Sequence, residues 1–199
     1  FSNRLTLLHR HMDPYGNLTA EGAGFNYAYL PDQNSLIDVD TTIRTTEFIF
    51  KTRYAYKENY VDAGYERVSL GSKYPIIELQ YTLGAKGVLD SDYNYHKVSL
   101  FYRHYFLMNP IGWTSYRFKA GKIFGTVPFL LAEVHPGNEA YFSSRGAFNT
   151  MNRYEFASDT YFSLFLEHHF DGYLLNKIPL IRKLQLRTVV SFKAVIGSL

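Results

Sequence analysis

The sequence predicts an all-β fold built as an antiparallel meander. Ten-residue segments recur in which every second side chain is apolar or aromatic and the others are polar or charged. In a strand this puts one kind of side chain on each face. No segment holds the apolar period of an amphipathic helix over 12 or more residues. A third observation concerns where such a meander sits. The chain has 18 Tyr and 16 Phe in 199 residues, and Tyr favours boundaries between water and hydrocarbon. A closed transmembrane barrel has two such boundaries, and needs an apolar outside and a wet inside. A soluble β-sandwich with a charged outer surface fits the alternation as well, and the length suffices to bury its core.

Residues 4–11 form the first expected strand, and Asp13-Pro14-Tyr15-Gly16-Asn17 a turn. A strand over 24–30 alternates Phe25, Tyr27 and Tyr29 against Asn26 and Ala28, and 31–40 reads as a polar loop. In 41–56, Phe48, Phe50, Tyr54 and Tyr56 share one face and Glu47, Lys51 and Arg53 the other, with Ile49 out of pattern. Residues 58–64 read as a turn or loop and 66–70 as a short strand. Strands over 76–83, 93–106 and 113–124 follow, with a turn at Asn109-Pro110-Ile111-Gly112. The pattern stops over 126–153, a stretch holding Pro128, Pro136, Gly137, Asn138 and Gly146. Loops of that length inside a compact array are usually functional. Alternation resumes at Tyr154 and is clearest over 160–170; 171–183 connects onward, with a helical turn expected at 176–184, and 185–196 is the last strand. The reading gives about eight or nine strands.

If these strands form one wall, its polar face carries Glu47, Lys51, Arg53, Glu78, Lys97, Arg103, Arg117, Lys119, Glu167, Arg187 and Lys193. An Arg or Lys facing lipid at mid-membrane costs roughly 2–4 kcal/mol, so in a barrel these side chains are expected to line a wet lumen. The net charge is only +3 and both signs are interspersed, so nucleic acid is not an expected partner. Without Cys there is neither a disulfide scaffold nor a thiolate metal site. No stretch approaches the ~20 apolar residues of a transmembrane helix, which does not bear on a barrel. Phe1-Ser2-Asn3-Arg4 lacks the pattern of a secretory signal. Gly197-Ser198-Leu199 lacks the terminal aromatic residue that closes many outer-membrane barrels. Both features lead to the expectation of a piece of a longer chain.

Candidate chemistry is sparse. Glu167-His168-His169 with Asp171 suggests a metal, but consecutive strand residues point to opposite faces, and Glu167 with His169 alone is too few ligands for zinc. His9 and His11 share a face without a third ligand. Asp90-Ser91-Asp92 lacks the spacing of a calcium loop. Ser143 and Ser144 have no ordered His and acid partners, and no Gly-x-Ser-x-Gly elbow exists. No phosphate-cradling or dinucleotide motif is present. No cofactor, no metal and no enzymatic activity are expected.

Several stretches resemble a large family from Bacteroidota. They are 69–84 (SLGSKYPIIELQYTLG), Ser91-Asp92-Tyr93-Asn94-Tyr95, Ala120-Gly121-Lys122-Ile123-Phe124-Gly125, and His135-Pro136-Gly137-Asn138-Glu139. They continue with Phe148-Asn149-Thr150-Met151-Asn152, Tyr154-Glu155-Phe156-Ala157-Ser158-Asp159, Glu167-His168-His169-Phe170-Asp171-Gly172, and Asn176-Lys177-Ile178-Pro179-Leu180. Members of that family join a carboxypeptidase-regulatory-like domain to a C-terminal outer-membrane barrel of unassigned function. The resemblance covers roughly residue 66 to the end. It implies that residues 1–199 are an incomplete outer-membrane β-barrel domain, with the regulatory-like domain and the closing strands elsewhere. That barrel is in turn similar to the BamA/TamA superfamily, which inserts or exports proteins at the outer membrane of bacteria. Those barrels fold a loop with an Arg-Gly-aromatic motif into the lumen. The counterpart here is Arg145, Gly146 and Phe148, with Ala147 interrupting the motif. Arg145 is expected to pair with a wall carboxylate, Glu78 or Glu167. The implied role is insertion, assembly or export of proteins at the outer membrane. The implied partners are outer-membrane lipid or lipopolysaccharide, with other envelope proteins or client proteins. The alternative is a non-catalytic channel or structural scaffold subunit of an envelope complex.

Overall fold

The computed structural model describes residues 1–12, 43–64, 66–138, 140–152 and 154–199. The strand expected over 24–30, the turn at 13–17 and the loop over 31–40 lie outside the described residues. In chain order the strands are β1 (Ser2–Met12), β2 (Ile43–Ala55), β3 (Asn59–Ala63), β4 (Glu66–Gly71), β5 (Ile76–Gly84), β6 (Tyr95–Met108), β7 (Gly112–Phe124), β8 (Glu133–Val134), β9 (Ala157–Ser158), β10 (Thr160–His169) and β11 (Val189–Ser198). A one-turn helix, α1 (Pro179–Arg182), falls within the helical turn that the sequence predicts, with Pro179 at its start.

Seven strands form one antiparallel sheet in the order β1-β2-β5-β6-β7-β10-β11. Among the described residues this is a meander with two insertions. The β3–β4 hairpin sits in the β2–β5 connection, and the small β8–β9 pair in the β7–β10 connection. Residues 59–63, expected as turn or loop, are thus a strand. Their partner is the short strand that the sequence does predict, over 66–70, and a five-residue strand is too brief for its alternation to stand out. The last strand begins at Val189, not at Gln185. Gln185 has a φ of 49°, so the chain leaves α1 through a left-handed residue before it extends.

The register carries the alternation across the whole sheet. Thr52, Leu79, Leu100, Ala120, Phe162 and Ile196 are successive partners in one row. Leu5, Phe50, Tyr81 and Val98 are partners in the next. This face is left open: Leu79, Leu100, Phe162 and Ile196 are all exposed, the last by 74%. Arg44 and Lys122 are the two charged residues, histidines apart, that share its parity among the described strands. A large apolar side chain kept out of an apolar medium forgoes about 1.5–3 kcal/mol. Soluble monomers rarely expose apolar patches above a few hundred Å².

The opposite face carries the charges and is covered by the connection from Gly125 to Phe156. At its root, Ile43, Tyr95 and Ile123 from the sheet pack with Val127 and Leu131 from the connection. This small core closes one end of the polar face. At the other end, Gly112 has a φ of 121°, and a Cβ there would lie 1.8 Å from the His169 carbonyl oxygen. Only Gly lets β7 begin in register with β10. We expect Gly112→Ala to destabilise the fold by at least about 2 kcal/mol, and Gly146→Ala, whose Cβ would meet nothing within 4 Å, to stay within about 0.5 kcal/mol. Urea unfolding followed through Trp113 reads both.

Candidate functional site

The polar face holds both signs, and its charges are answered in two ways. Near the β3–β4 hairpin they answer one another. Lys51 Nζ lies 2.5 Å from Glu78 Oε2, and Arg53 Nε 3.2 Å from Glu78 Oε1. The two terminal nitrogens of Arg53 grip Glu58 at 2.6 and 2.5 Å, a bidentate pair. Tyr60 donates to the same carboxylate at 2.6 Å, as does the Ser69 hydroxyl. The Arg53 hydrogen bonds, joined by those of Ser69 and Tyr60, overcome the cost of burial and hold the Glu58 carboxyl down to about 2. Near the root of the long connection, Glu47 accepts from the Tyr95 hydroxyl and pairs with Arg10.

Four further wall charges, Lys97, Lys119, Arg117 and Lys193, are answered by the connection itself. Glu133, in β8, pairs with Lys97 Nζ at 2.6 Å through one oxygen and with Lys119 through the other. Farther along, Lys193 Nζ donates to the carbonyl oxygens of Ser144 and Ala147 at 2.6 and 2.7 Å. Arg117 donates to the Arg145 carbonyl at 3.0 Å. Phe148 is buried, with its ring 4.8 Å from that of Phe165. Arg117, Phe165 and Lys193 share one row of the sheet, seven residues along β7 from Phe124. The loop therefore runs about 23 Å down the polar face at ~3.3 Å per residue.

The loop keeps its shape through its own polar groups. Asn138 donates through its side chain to the Phe142 carbonyl and to Asn149 Oδ1, both at 2.9 Å. Asn149 Oδ1 also accepts the Ser144 amide at 2.9 Å, and its amide nitrogen donates to Ser143 Oγ. The Phe148 amide reaches the Pro136 carbonyl and the Asn138 amide that of Met151, each at 2.8 Å. A Cβ on Gly137 would fall 2.0 Å from the Asn152 carbonyl oxygen, so the two arms of the loop pass as close as backbones can. The stretches His135–Asn138 and Phe148–Asn152, singled out in the sequence, are these two arms. His135 is buried, with its Nε2 3.1 Å from Ser158 Oγ and its ring edge-on to Tyr161. Burial pushes its pKa below the ordinary imidazole value. For Glu133, burial acts upward, but the ammonium groups of Lys97 and Lys119 outweigh it and its carboxyl titrates below its usual range.

Of the residues singled out from the sequence, Phe148 is the one whose side chain packs into the wall. Arg145 is 76% exposed and reaches Glu167 at 3.9 Å, while Glu78 is taken by Lys51 and Arg53. Gly146 has open space around it. Glu47, Lys51, Arg53, Glu78, Lys97, Arg103, Arg117, Lys119, Glu167 and Lys193 all lie on the polar side of the register. Arg187 does not: it is exposed and precedes β11, because the alternation of 185–196 begins before the strand does. The anchors that the sequence does not reveal are Glu133, in an irregular segment, and the backbone carbonyls of Ser144, Arg145 and Ala147. His168 and His169 go to opposite faces, the former to Thr114 Oγ1 at 2.7 Å and the latter stacked 3.8 Å from Trp113. Among the described residues no three His, Cys, Asp or Glu side chains are placed to hold a metal.

Residues 25–197 match a family model described as the C-terminal domain of a family of unknown function, DUF5686. No curated protein and no solved structure matches the chain.

Glu133→Gln removes the charge that both lysines face. We expect the docked loop to lose on the order of 3 kcal/mol and its exposed tip at Tyr141 and Phe142 to be cleaved faster by chymotrypsin at neutral pH, with the sheet still folded. Acid acts in the same direction. A depressed imidazole pKa withdraws stability as pH falls below the ordinary 6.5, and a depressed carboxyl pKa withdraws it as pH falls below the ordinary 4.5 and through its own lower value. Hydrogen exchange of residues 133–151, after correction for the intrinsic rate, is therefore expected to gain protection steadily from pH 4 to pH 7.

Proposed function

The chain belongs to the DUF5686 family through its C-terminal domain, and we propose that it is a section of an outer-membrane β-barrel that works without chemistry, in the insertion, assembly or export of proteins at that membrane. The observation that carries the membrane reading is the division of the sheet. Its apolar face is open and, across β5, β6, β7, β10 and β11, holds no carboxylate or guanidinium. Between His96 and His104 on that face of β6 lie only Val98, Leu100 and Tyr102. Eight residues of strand span about 26 Å, close to the ~25 Å apolar band of such barrels. Lys122, at one margin, lies 5.3 Å over the Phe124 ring, and a lysine there reaches the interface along its own stem.

The role in protein traffic rests on the resemblance to BamA-like barrels and on the loop. The resemblance implies a long loop that folds into the lumen, and here the Arg-Gly-Ala-Phe stretch lies against Arg117 and Lys193 of the wall. The expected partners are the surrounding lipid or lipopolysaccharide, client proteins and other envelope proteins. The latch also supports a second reading, a plugged scaffold or channel subunit, since Lys97 and Lys119, which would otherwise line a pore, are bound to Glu133.

Depleting the protein and quantifying the outer-membrane proteome separates the two. An assembly or export role predicts a two-fold or larger fall in many other barrels or surface lipoproteins, in the sense that a biogenesis factor limits its clients. Loss confined to a fixed set of co-purifying partners favours the scaffold, and an unchanged proteome contradicts the role in biogenesis.

A further inference from the structure

One group of charges on the polar face is answered only in part by the wall and the loop. Arg103 of β6 and Arg117 of β7 stand directly opposite each other in the register, and like charges at such a cross-strand pair repel. Arg117 holds the Arg145 carbonyl through one nitrogen and lies 5.0 Å over the Phe165 ring. Among the described residues Arg103 has neither a hydrogen-bond nor an ion-pair partner. The loop then brings a third guanidinium, Arg145, to the same place. All three line a cavity of about 450 Å³, whose wall also includes Trp113, Tyr105 and Glu167.

The counter-charge available there is small. Among the described residues Glu167 is the one carboxylate lining the cavity, 3.9 Å from Arg145 and 3.6 Å from His169. Glu58, behind the rim residue Ser69, is already occupied by Arg53, Tyr60 and Ser69. The His104 ring is engaged with the Tyr116 hydroxyl and the Lys73 carbonyl. Three guanidinium groups facing one carboxylate leave the cavity with two positive charges in excess.

We propose that this cavity binds a phosphate monoester. Such a group carries about −1.5 to −2 at neutral pH, which matches the excess. Planar guanidinium forks take phosphate oxygens in pairs. Trp113, held flat against His169, and Tyr105 give an apolar wall for the organic part of the ester. A lipid with a phosphate monoester headgroup and a soluble phosphate ester share this chemistry. The site is independent of the role proposed above, which assigns the barrel no small ligand.

The test is calorimetric titration of phenyl phosphate into the full-length protein in detergent micelles at fixed ionic strength. Saturable binding is expected, weakened about ten-fold or more by Arg103→Gln, less by Arg103→Lys, and unchanged by Lys86→Gln on the far side of the sheet's end. Arg103 makes no hydrogen bond or ion pair among the described residues, so its variants are expected to keep the fold, which Trp113 fluorescence verifies. Repeating the titration in nanodiscs separates the sources. Competition by phosphatidic acid but not by phosphatidylcholine identifies a lipid ligand, and equal affinity in both identifies a soluble one. Absence of saturable binding, or binding of equal strength in folded Arg103→Gln, overturns the proposal. The proteome of depleted cells does not bear on it.

Discussion

A strand shows its two faces to two environments, and in this sheet the charges, Arg44 and Lys122 apart, go to one of them. Seven strands in register put Leu, Phe, Tyr and Val on one side and Lys, Arg and Glu on the other. Neither face is stable unless something suitable meets it. The apolar face needs an apolar medium. The charged face needs water, counter-charges or hydrogen-bond acceptors, because a charge stranded in a low dielectric costs several kcal/mol.

The long connection meets the second need, and its composition makes sense in that light. It offers one carboxylate, Glu133, to two lysines, and a turn of bare carbonyls to Lys193 and Arg117. Backbone carbonyls accept from cations without adding a charge of their own. Room for the loop comes from the small residues of the wall: Ser99, Gly121 and Ser163 lie on the covered side, and a Cβ on Gly121 would run into the Tyr161 ring. Beyond its apolar anchors the loop is bound by ion pairs and hydrogen bonds, and these are what pH and charge substitution move. The sheet has its ladder of backbone bonds besides its own ion pairs.

Much of this was legible in the sequence because a period of two survives any sheet. The face assignments of β2, β5, β6, β7 and β10 follow from alternation, including the oddity of Ile49, which does lie on the charged side opposite Thr82. The extra strand at 59–63 was not legible, since five residues give too little pattern. Alternation does not mark where a strand starts, so it puts Arg187 on a strand that begins only at Val189. The loop was recognisable by its length and its Gly and Pro, and its contact with the wall was not. Glu133 sits in an irregular stretch with no periodicity to orient it. A backbone carbonyl carries no sequence signature at all. The motif points to the Arg145 side chain, which is largely exposed, while the Arg145 carbonyl makes the closer contact.

The most direct measurement places each side of one strand. The chain has no Cys, so single substitutions along β6, Val98→Cys, Ser99→Cys, Leu100→Cys, Phe101→Cys and Tyr102→Cys, take a fluorophore cleanly. In vesicles whose acyl chains carry a nitroxide, labels at 98, 100 and 102 are expected to be quenched and those at 99 and 101 spared, a period of two read out in lipid. Equal quenching at all five positions, or a protein that stays in solution and leaves every label untouched, would contradict the assignment of the apolar face to the membrane and the charged face to the loop.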